Sequence, residues 1–236
     1  MAEISDWIKD ISVDFNPLFV RMDKDRDLYN QVEYALKDLA TGKPAKHVVN
    51  ITMNDAKVFA DRAQSFMNEA VLQTIVEGRH LSDKQTTLIE NFDTDIHYEI
   101  DQQLLTRDVN SLFSFLIEQA CIRGTLAGRY LSWDDEGKFT PDLLPCDSRF
   151  LVYEYGRKDL VQAAFRTVRT KASVEEEYPD IKIKVDAKKY GLWEYWNKKQ
   201  GEIWLGKPDG TFDDLGGQKI EEKENIFGYV PFVIQG

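Results

Sequence analysis

The hydrophobic period of this chain changes once, near Gly124, and that change limits the fold more than any single motif. Before it, apolar residues recur at helical spacing. Leu88, Phe92, Ile96, Ile100 and Leu104 fall every four residues, and Phe59, Ala63, Phe66 and Ala70 share one helical face. After it, apolar and polar residues alternate, or run in short blocks bounded by turn residues. Helices in one block and strands in the next predict an α+β protein, because a parallel α/β sheet needs the two to alternate. The expected architecture is N-terminal helices followed by a mostly antiparallel sheet. Residues 1–124 form its mainly helical part and 125–236 its β-rich part.

Local signals divide the helical half. Ser5 is expected to cap a short helix carrying Trp7, Ile8 and Ile11, which Asn16-Pro17 breaks. A second helix is expected from about Asp25 to Leu39, with Leu28, Val32, Ala35 and Leu39 on one stripe. It stops at Thr41-Gly42-Lys43-Pro44. His47 to Ile51 reads as a brief extended piece, and Asn54 as the cap of the helix bearing Phe59. A further helix is expected from about Asp83. Asp108 or Asn110 caps another, with Leu112, Phe113, Leu116, Ile117 and Ala120, ending near Gly124.

In the second half, Thr125–Trp133, Phe150–Tyr155, Val161–Val168, Lys182–Val185, Leu192–Trp196, Glu202–Leu205 and Tyr229–Ile234 read as strands. Asp134-Asp135-Glu136-Gly137 and Pro208-Asp209-Gly210 read as turns. Ser173-Val-Glu-Glu176 has the spacing of a capping box for a short helix. Pro231 confines the last strand to a sheet edge or to a strand start.

Composition bears mainly on partners. Hydrophobic residues make up 42% of the 236, enough to build a core. The net charge is −11, from 41 acidic and 30 basic side chains, and no basic run is present. An extended nucleic-acid clamp needs clustered Lys and Arg, so that class is excluded, and attraction to an anionic membrane fails for the same reason. No stretch of about 18 apolar residues offers a membrane span. The start, MAEISDWIKDISVDF, lacks the basic and apolar regions of a signal peptide, which points to the cytoplasm. Cys121 and Cys146 have no Cys or His partner at metal or redox spacing and are expected to be reduced thiols.

Asp23-Lys-Asp-Arg-Asp27 opens like a calcium loop, but Leu28 and Tyr34 stand where that loop needs Gly and Glu. A solvated helix start accounts for it. Asp93, His97 and Asp101 share a helix face at i, i+4 and i+8, and the third lies one turn too far to join a metal site. His47 and His80 have no nucleophile motif, Gly216-Gly217 is an isolated turn, and Glu175, Glu176 and Glu177 read as a solvated helix face. No catalytic, cofactor-binding or metal-binding residue is assigned, no cofactor is expected, and the chain does not read as an enzyme. Tyr190, Trp193, Tyr195, Trp196 and Trp204 are the densest aromatic group. They could stack on sugars or bases, but their alternation puts rings on both faces of a strand. Core packing plus a subunit interface fits that better.

Several segments, in order, resemble the portal proteins of tailed double-stranded DNA bacteriophages. They are Ile122–Asp134, with glycine and an aromatic before a strand and acidic turn; Leu144–Tyr153, with Pro145 and Asp147 before an aromatic-rich strand; Val161–Arg166; Tyr190–Trp196; Glu202–Leu205; and Asn225–Ile234, the end of the family's meander in a Gly-x-x-Pro strand. His47-Val-Val-Asn50 before a helix adds an upstream match, so the likeness runs from about residue 25 onward. Each piece is a common pattern, and their order carries the resemblance.

The resemblance implies the N-terminal, wing-forming portion of a portal subunit. It implies a homo-oligomeric ring (a dodecamer in the family) at the capsid vertex, through which DNA is packaged and ejected. The implied partners are the major capsid protein, a head–tail adaptor, the terminase motor, and double-stranded DNA passing without sequence-specific binding. The implied location is the virion, assembled in the host cytoplasm. Stem and clip segments of that family have no counterpart before Gly236, so the polypeptide is expected to continue. Two other readings stand beside it: a small glycan- or peptide-binding module using the Trp/Tyr-rich sheet, and a hydrolase whose carboxylates converge only in the fold.

Overall fold

The protein is α+β, with helices first and antiparallel strands after, in the order that the change of period predicts. The computed structural model describes residues 2–32, 36–45, 48–49, 51, 53–70, 74–78, 80–135, 137–184, 186–209 and 217–236. The expectations placed on Ala35, His47, Asn50, Glu136, Val185, Gly210 and Gly216 lie outside these residues.

The first helix differs most from expectation. Helix α1 runs unbroken from Ala2 to Tyr29, with Pro17 inside it and Ser5 buried within it instead of at its start. A proline inside a helix removes one backbone bond and crowds the preceding turn, at about 3 kcal/mol. Ser5, Ile8, Phe19 and Met22 are all buried along α1. Each buried apolar side chain returns about 1.5–3 kcal/mol, so the buried stripe outweighs the proline. Of the second helix expected from about Asp25 to Leu39, residues 25–29 belong to α1, and residues 30–32 and 36–39 are not helical. Gln31 adopts a φ of 55°, which ends the helix. Asp38 then accepts from the backbone N–H of Ala40 and Thr41, at 2.8 and 3.0 Å, making a turn in place of a helical stretch.

Helices α2 (Asp55–Asn68), α3 (Asp83–Thr106) and α4 (Leu112–Arg123) follow. Asn54 does precede α2, but its side chain makes no capping bond. Helix α3 starts with a full capping box: Ser82 accepts from Gln85 N–H, and Gln85 Oε1 accepts from Ser82 N–H. Ser111, one residue past the expected Asn110, caps α4. That helix closes at Gly124, whose φ of 70° is the left-handed conformation a C-terminal glycine supplies.

Strand β1 (Leu126–Asp135) and strand β2 (Lys138–Pro145) join at the acidic turn, where Asp134 accepts from Gly137 N–H at 2.5 Å. Strand β2 was not foreseen. After a 3₁₀ turn at Ser148–Phe150 come β3 (Leu151–Tyr155), β4 (Leu160–Thr170), helix α5 (Lys171–Glu177), β5 (Lys189–Asn197), β6 (Gln200–Gly206), β7 (Gln218–Glu224) and β8 (Phe232–Gln235). The capping box read at Ser173 is shifted, because the cap of α5 is Thr170, which accepts from Ser173 N–H. Residues 182–184 form no strand.

Strands β3 to β7 make one five-stranded antiparallel meander in chain order. Strand β8 does not extend it. It lies at the edge of a second sheet ordered β2-β1-β8, and Tyr130 N–H bonds Pro231 O at 2.9 Å just before β8 begins. That is the edge-and-start placement Pro231 demands.

The chain packs as two compact units that exchange segments. One holds Met1–Phe19, Ala127–Leu131 and Cys146–Gln235; the other holds Val20–Leu126, Ser132–Pro145 and Gly236. The change from helix to strand stays at Gly124, but the units do not divide there, since α1 and β1 each contribute to both.

In the second unit, Met22, Ile100, Leu104, Ile117 and Ile122 are buried. The guanidinium of Arg123 is buried too, and donates to Met22 O at 2.8 Å. Ser114 Oγ donates to Asn68 Oδ1 at 3.0 Å, tying α4 to α2. Only the C-terminal end of the α3 stripe is buried: Leu88 and Phe92 are exposed, as are Phe59 and Phe66 on α2.

Candidate functional site

The five-stranded meander positions the candidate site, and its two faces explain the aromatic group. Directly paired residues share a face. One face therefore carries Gln162, Ala164 and Arg166 of β4 opposite Asn197, Tyr195 and Trp193 of β5. Helix α1 covers it. Trp7 meets Tyr195 edge-on at 5.6 Å, and its indole N–H donates to Glu154 Oε2 at 3.1 Å. Gln162 donates to the same carboxylate at 2.7 Å, and accepts from Tyr195 OH at 2.7 Å.

The opposite face carries Tyr190, Leu192, Glu194 and Trp196. Val174 of α5 packs on Tyr190, Leu192 and Leu205 in one cluster. Farther along, Arg129 of β1 sits 3.2 Å from Glu194, whose other neighbour, Trp196 Nε1–H, donates to it at 2.9 Å. Both faces are thus buried within one unit. The rings of Trp193, Tyr195, Trp196 and Trp204 are 4–5% exposed. They are core, so neither face of this strand offers the subunit contact expected of it. Exposed apolar side chains lie on α2 and α3 instead.

The residues weighed for chemistry are dispersed. Asp23, Asp25 and Asp27 lie near the C-terminal end of α1, not at a helix start. Carboxylates are unfavourable at that end of the helix dipole. Asp23 is held 3.7 Å from Arg123, and Asp25 3.9 Å from Arg21. Asp93 and His97 do approach on α3, at 3.8 Å, but Asp93 accepts from Thr74 Oγ1–H at 2.6 Å. Asp101 turns away to accept from Leu112 N–H at 2.8 Å, satisfying one of the unpaired donors at the start of α4. His80 lies exposed in a turn, and Glu175, Glu176 and Glu177 are exposed on α5. Neither cysteine forms a disulfide. The Cys146 thiol is wholly buried, and that burial, with Glu194 nearby, pushes its pKa far up.

Sequence reading passed over two arginines. Arg149 and Arg166 face a cavity of about 200 Å³ between α1 and the meander. Arg149 lies over the Phe19 ring at 4.5 Å and 5.6 Å from the Phe150 ring. Arg166 lies over Phe150 at 5.0 Å and 5.8 Å from Trp193. Two cations thus share one ring. Burial and the charge of Arg149 lower the pKa of Arg166, and Asp209 at the cavity acts in the other direction. The Nε of Arg166 is buried with no hydrogen-bond partner. Nothing in the local pattern marks this site, because its residues come from positions 12 to 209 of the chain. A second cavity, of about 170 Å³, has Tyr190 and Leu205 in its wall and Lys184, Lys189 and Lys207 around it. Gln218 closes one side, donating to Lys182 O and accepting from Lys184 N–H.

Among the described residues no group of three or more His, Cys, Asp or Glu side chains could hold a metal ion, and no helix is long and apolar enough to cross a membrane. Compared with models of known protein families and with curated protein sequences, the chain matches none.

Proposed function

We propose that this chain is the wing-forming portion of a portal subunit, a structural protein that assembles as a ring at the capsid vertex of a tailed phage. The observation that carries the reading is the order of six segments that resemble that family. Five of the six segments fall on elements of the kind the resemblance implies, whereas the sixth, expected to end the meander, leads into β8 of the second sheet. Ile122–Asp134 crosses from α4 through Gly124 into β1, Leu144–Tyr153 leads into β3, and Val161–Arg166, Tyr190–Trp196 and Glu202–Leu205 lie on β4, β5 and β6. Asn225–Ile234 ends on β8.

Two physical features support it. A closed ring of identical chains needs head-to-tail contacts, which require apolar surface left uncovered in the single chain. Phe59, Phe66, Leu88 and Phe92 provide such surface. The net charge of −11 keeps DNA from adhering to an assembly it must traverse. Packaging energy would come from the terminase motor, so the wing needs no catalytic residue of its own.

The test is the mass and shape of the complete polypeptide. Analytical ultracentrifugation and electron microscopy are expected to find closed rings. A complete polypeptide that stays monomeric at micromolar concentration overturns the reading.

A further inference from the structure

We propose that the cavity bounded by Tyr190, Leu205 and Gln218 binds a small aromatic acid, with one ring against its apolar wall and a carboxylate or phosphate at its lysines. The residues named here as lining it belong to one compact unit, and the site does not depend on portal assembly.

The wall is apolar and pinned. Ile183, Ala187, Tyr190, Leu205 and Pro208 line it. Tyr190 and Leu205 are buried in a cluster with Val174 and Leu192, and Ile183 and Ala187 pack against that cluster. The polar groups at the wall are engaged. Tyr190 OH accepts from Ala187 N–H at 2.9 Å. Gln218 accepts from Lys184 N–H at 3.0 Å and donates to Lys182 O at 2.8 Å. A wall held this way loses little freedom when a ligand enters. The volume of about 170 Å³ suits one six-membered ring, since an apolar cavity of about 150 Å³ in another protein takes up benzene.

Charge sets the other half of the ligand. Lys184, Lys189 and Lys207 line the same cavity and are exposed. Lysine stems extend an apolar wall while their ammonium groups stay in water at its mouth. Among the described residues no carboxylate lines the cavity, and none pairs with these three lysines. The carboxylates two residues away are placed elsewhere. Asp186 lies 2.6 Å from Lys171, and Asp209 lines the cavity of Arg149 and Arg166. Three ammonium groups at one mouth attract an anion, in a chain whose net charge is −11. A neutral ring would leave that potential unused, and an anion without a ring would leave the apolar wall in water.

The test is a titration of the whole chain, followed by NMR of the Ile183 and Leu205 methyl groups at constant ionic strength. Benzoate and phenyl phosphate are the two acids. Acetate, which has no ring, and benzyl alcohol, which has no charge, are the controls. Both residues are expected to shift saturably with at least one acid, with a dissociation constant on the order of 1 mM. The acid that saturates at lower concentration identifies the oxyanion. Acetate is expected to shift neither residue, and benzyl alcohol to bind about tenfold more weakly than the acid. The triple variant Lys184→Gln, Lys189→Gln, Lys207→Gln changes exposed side chains only, so it should stay folded. Its affinity for the acid is expected to fall about tenfold, with that for benzyl alcohol unchanged. Ala187→Leu fills the cavity and is expected to abolish binding of both. If neither acid shifts these methyl groups saturably, if acetate shifts them as much, or if the lysine variant binds the acid as tightly as the wild type, the proposal is wrong. The wild-type titration and the lysine variant decide should Ala187→Leu fail to fold.

Discussion

Arg129 and Glu194 show how much one pair can decide. They stand 3.2 Å apart with side chains only 10% and 18% exposed. Removing one member of a buried pair strands the other's charge. Arg129→Ala is therefore expected to cost about 3–5 kcal/mol, read as a shift in urea midpoint. Exchanging both partners for apolar residues of similar volume should cost far less, because no charge is then left behind. The sequence shows neither partner's importance, since β1 and β5 meet only through the fold. Gly201 is a second case. A Cβ there would sit 2.8 Å from the Trp196 ring, so Gly201→Ala should destabilise by about 1–3 kcal/mol in the same assay. Cys146 makes the stability sensitive to alkali. Burial raises its pKa above the ordinary 9.0, so the folded state holds the proton more tightly than the unfolded state. Its contribution is complete below that value and is lost as pH rises past it. Urea midpoints are expected to fall steadily above pH 9, and less steeply in Cys146→Ala.

Helix α1 carries the clearest lesson among the elements. Pro17 reads as a break, and by local rules it should be one. Burial of Ile8 on one side and of Phe19 and Met22 on the other keeps the helix intact across it. Pro17→Ala is thus expected to stabilise the protein by about 1–3 kcal/mol, measured by thermal and urea unfolding. The opposite error arose at α3, where Ser82-x-x-Gln85 is a full capping box that the apolar stripe obscured. Ser82→Ala is expected to cost about 1 kcal/mol, seen as faster amide exchange in the first turns of α3. Strands β2 and β7 were missed for a different reason. Lys138–Pro145 and Gln218–Glu224 carry too few apolar residues to look like strands, and backbone pairing to β1 and β6 is what holds them.

For the whole molecule, the consequence is in assembly. The rings of Phe59 and Phe66 are about three-quarters exposed and that of Phe92, which meets Phe139 at 5.8 Å, about half, so replacing them with serine should leave the chain folded. If the proposed ring forms through this surface, the triple variant Phe59→Ser, Phe66→Ser, Phe92→Ser is expected to keep its near-ultraviolet circular dichroism and lose ring formation. Retained rings would move the lateral contact to another surface.

Sequence alone determined the α+β class, the change of layer at Gly124, the positions of β1, β3, β4, β5 and β6, and the confinement of the last strand to a sheet edge or a strand start. Those features rest on local periodicity, turn chemistry and the missing donor of proline, all of which act between near neighbours. Only the tertiary structure decided that α1 passes through Pro17, that the aromatic strand is buried on both faces, that two units exchange α1 and β1, and that Arg149 meets Arg166 over one ring. These outcomes depend on burial summed over residues far apart in the chain, and no local pattern reports that sum.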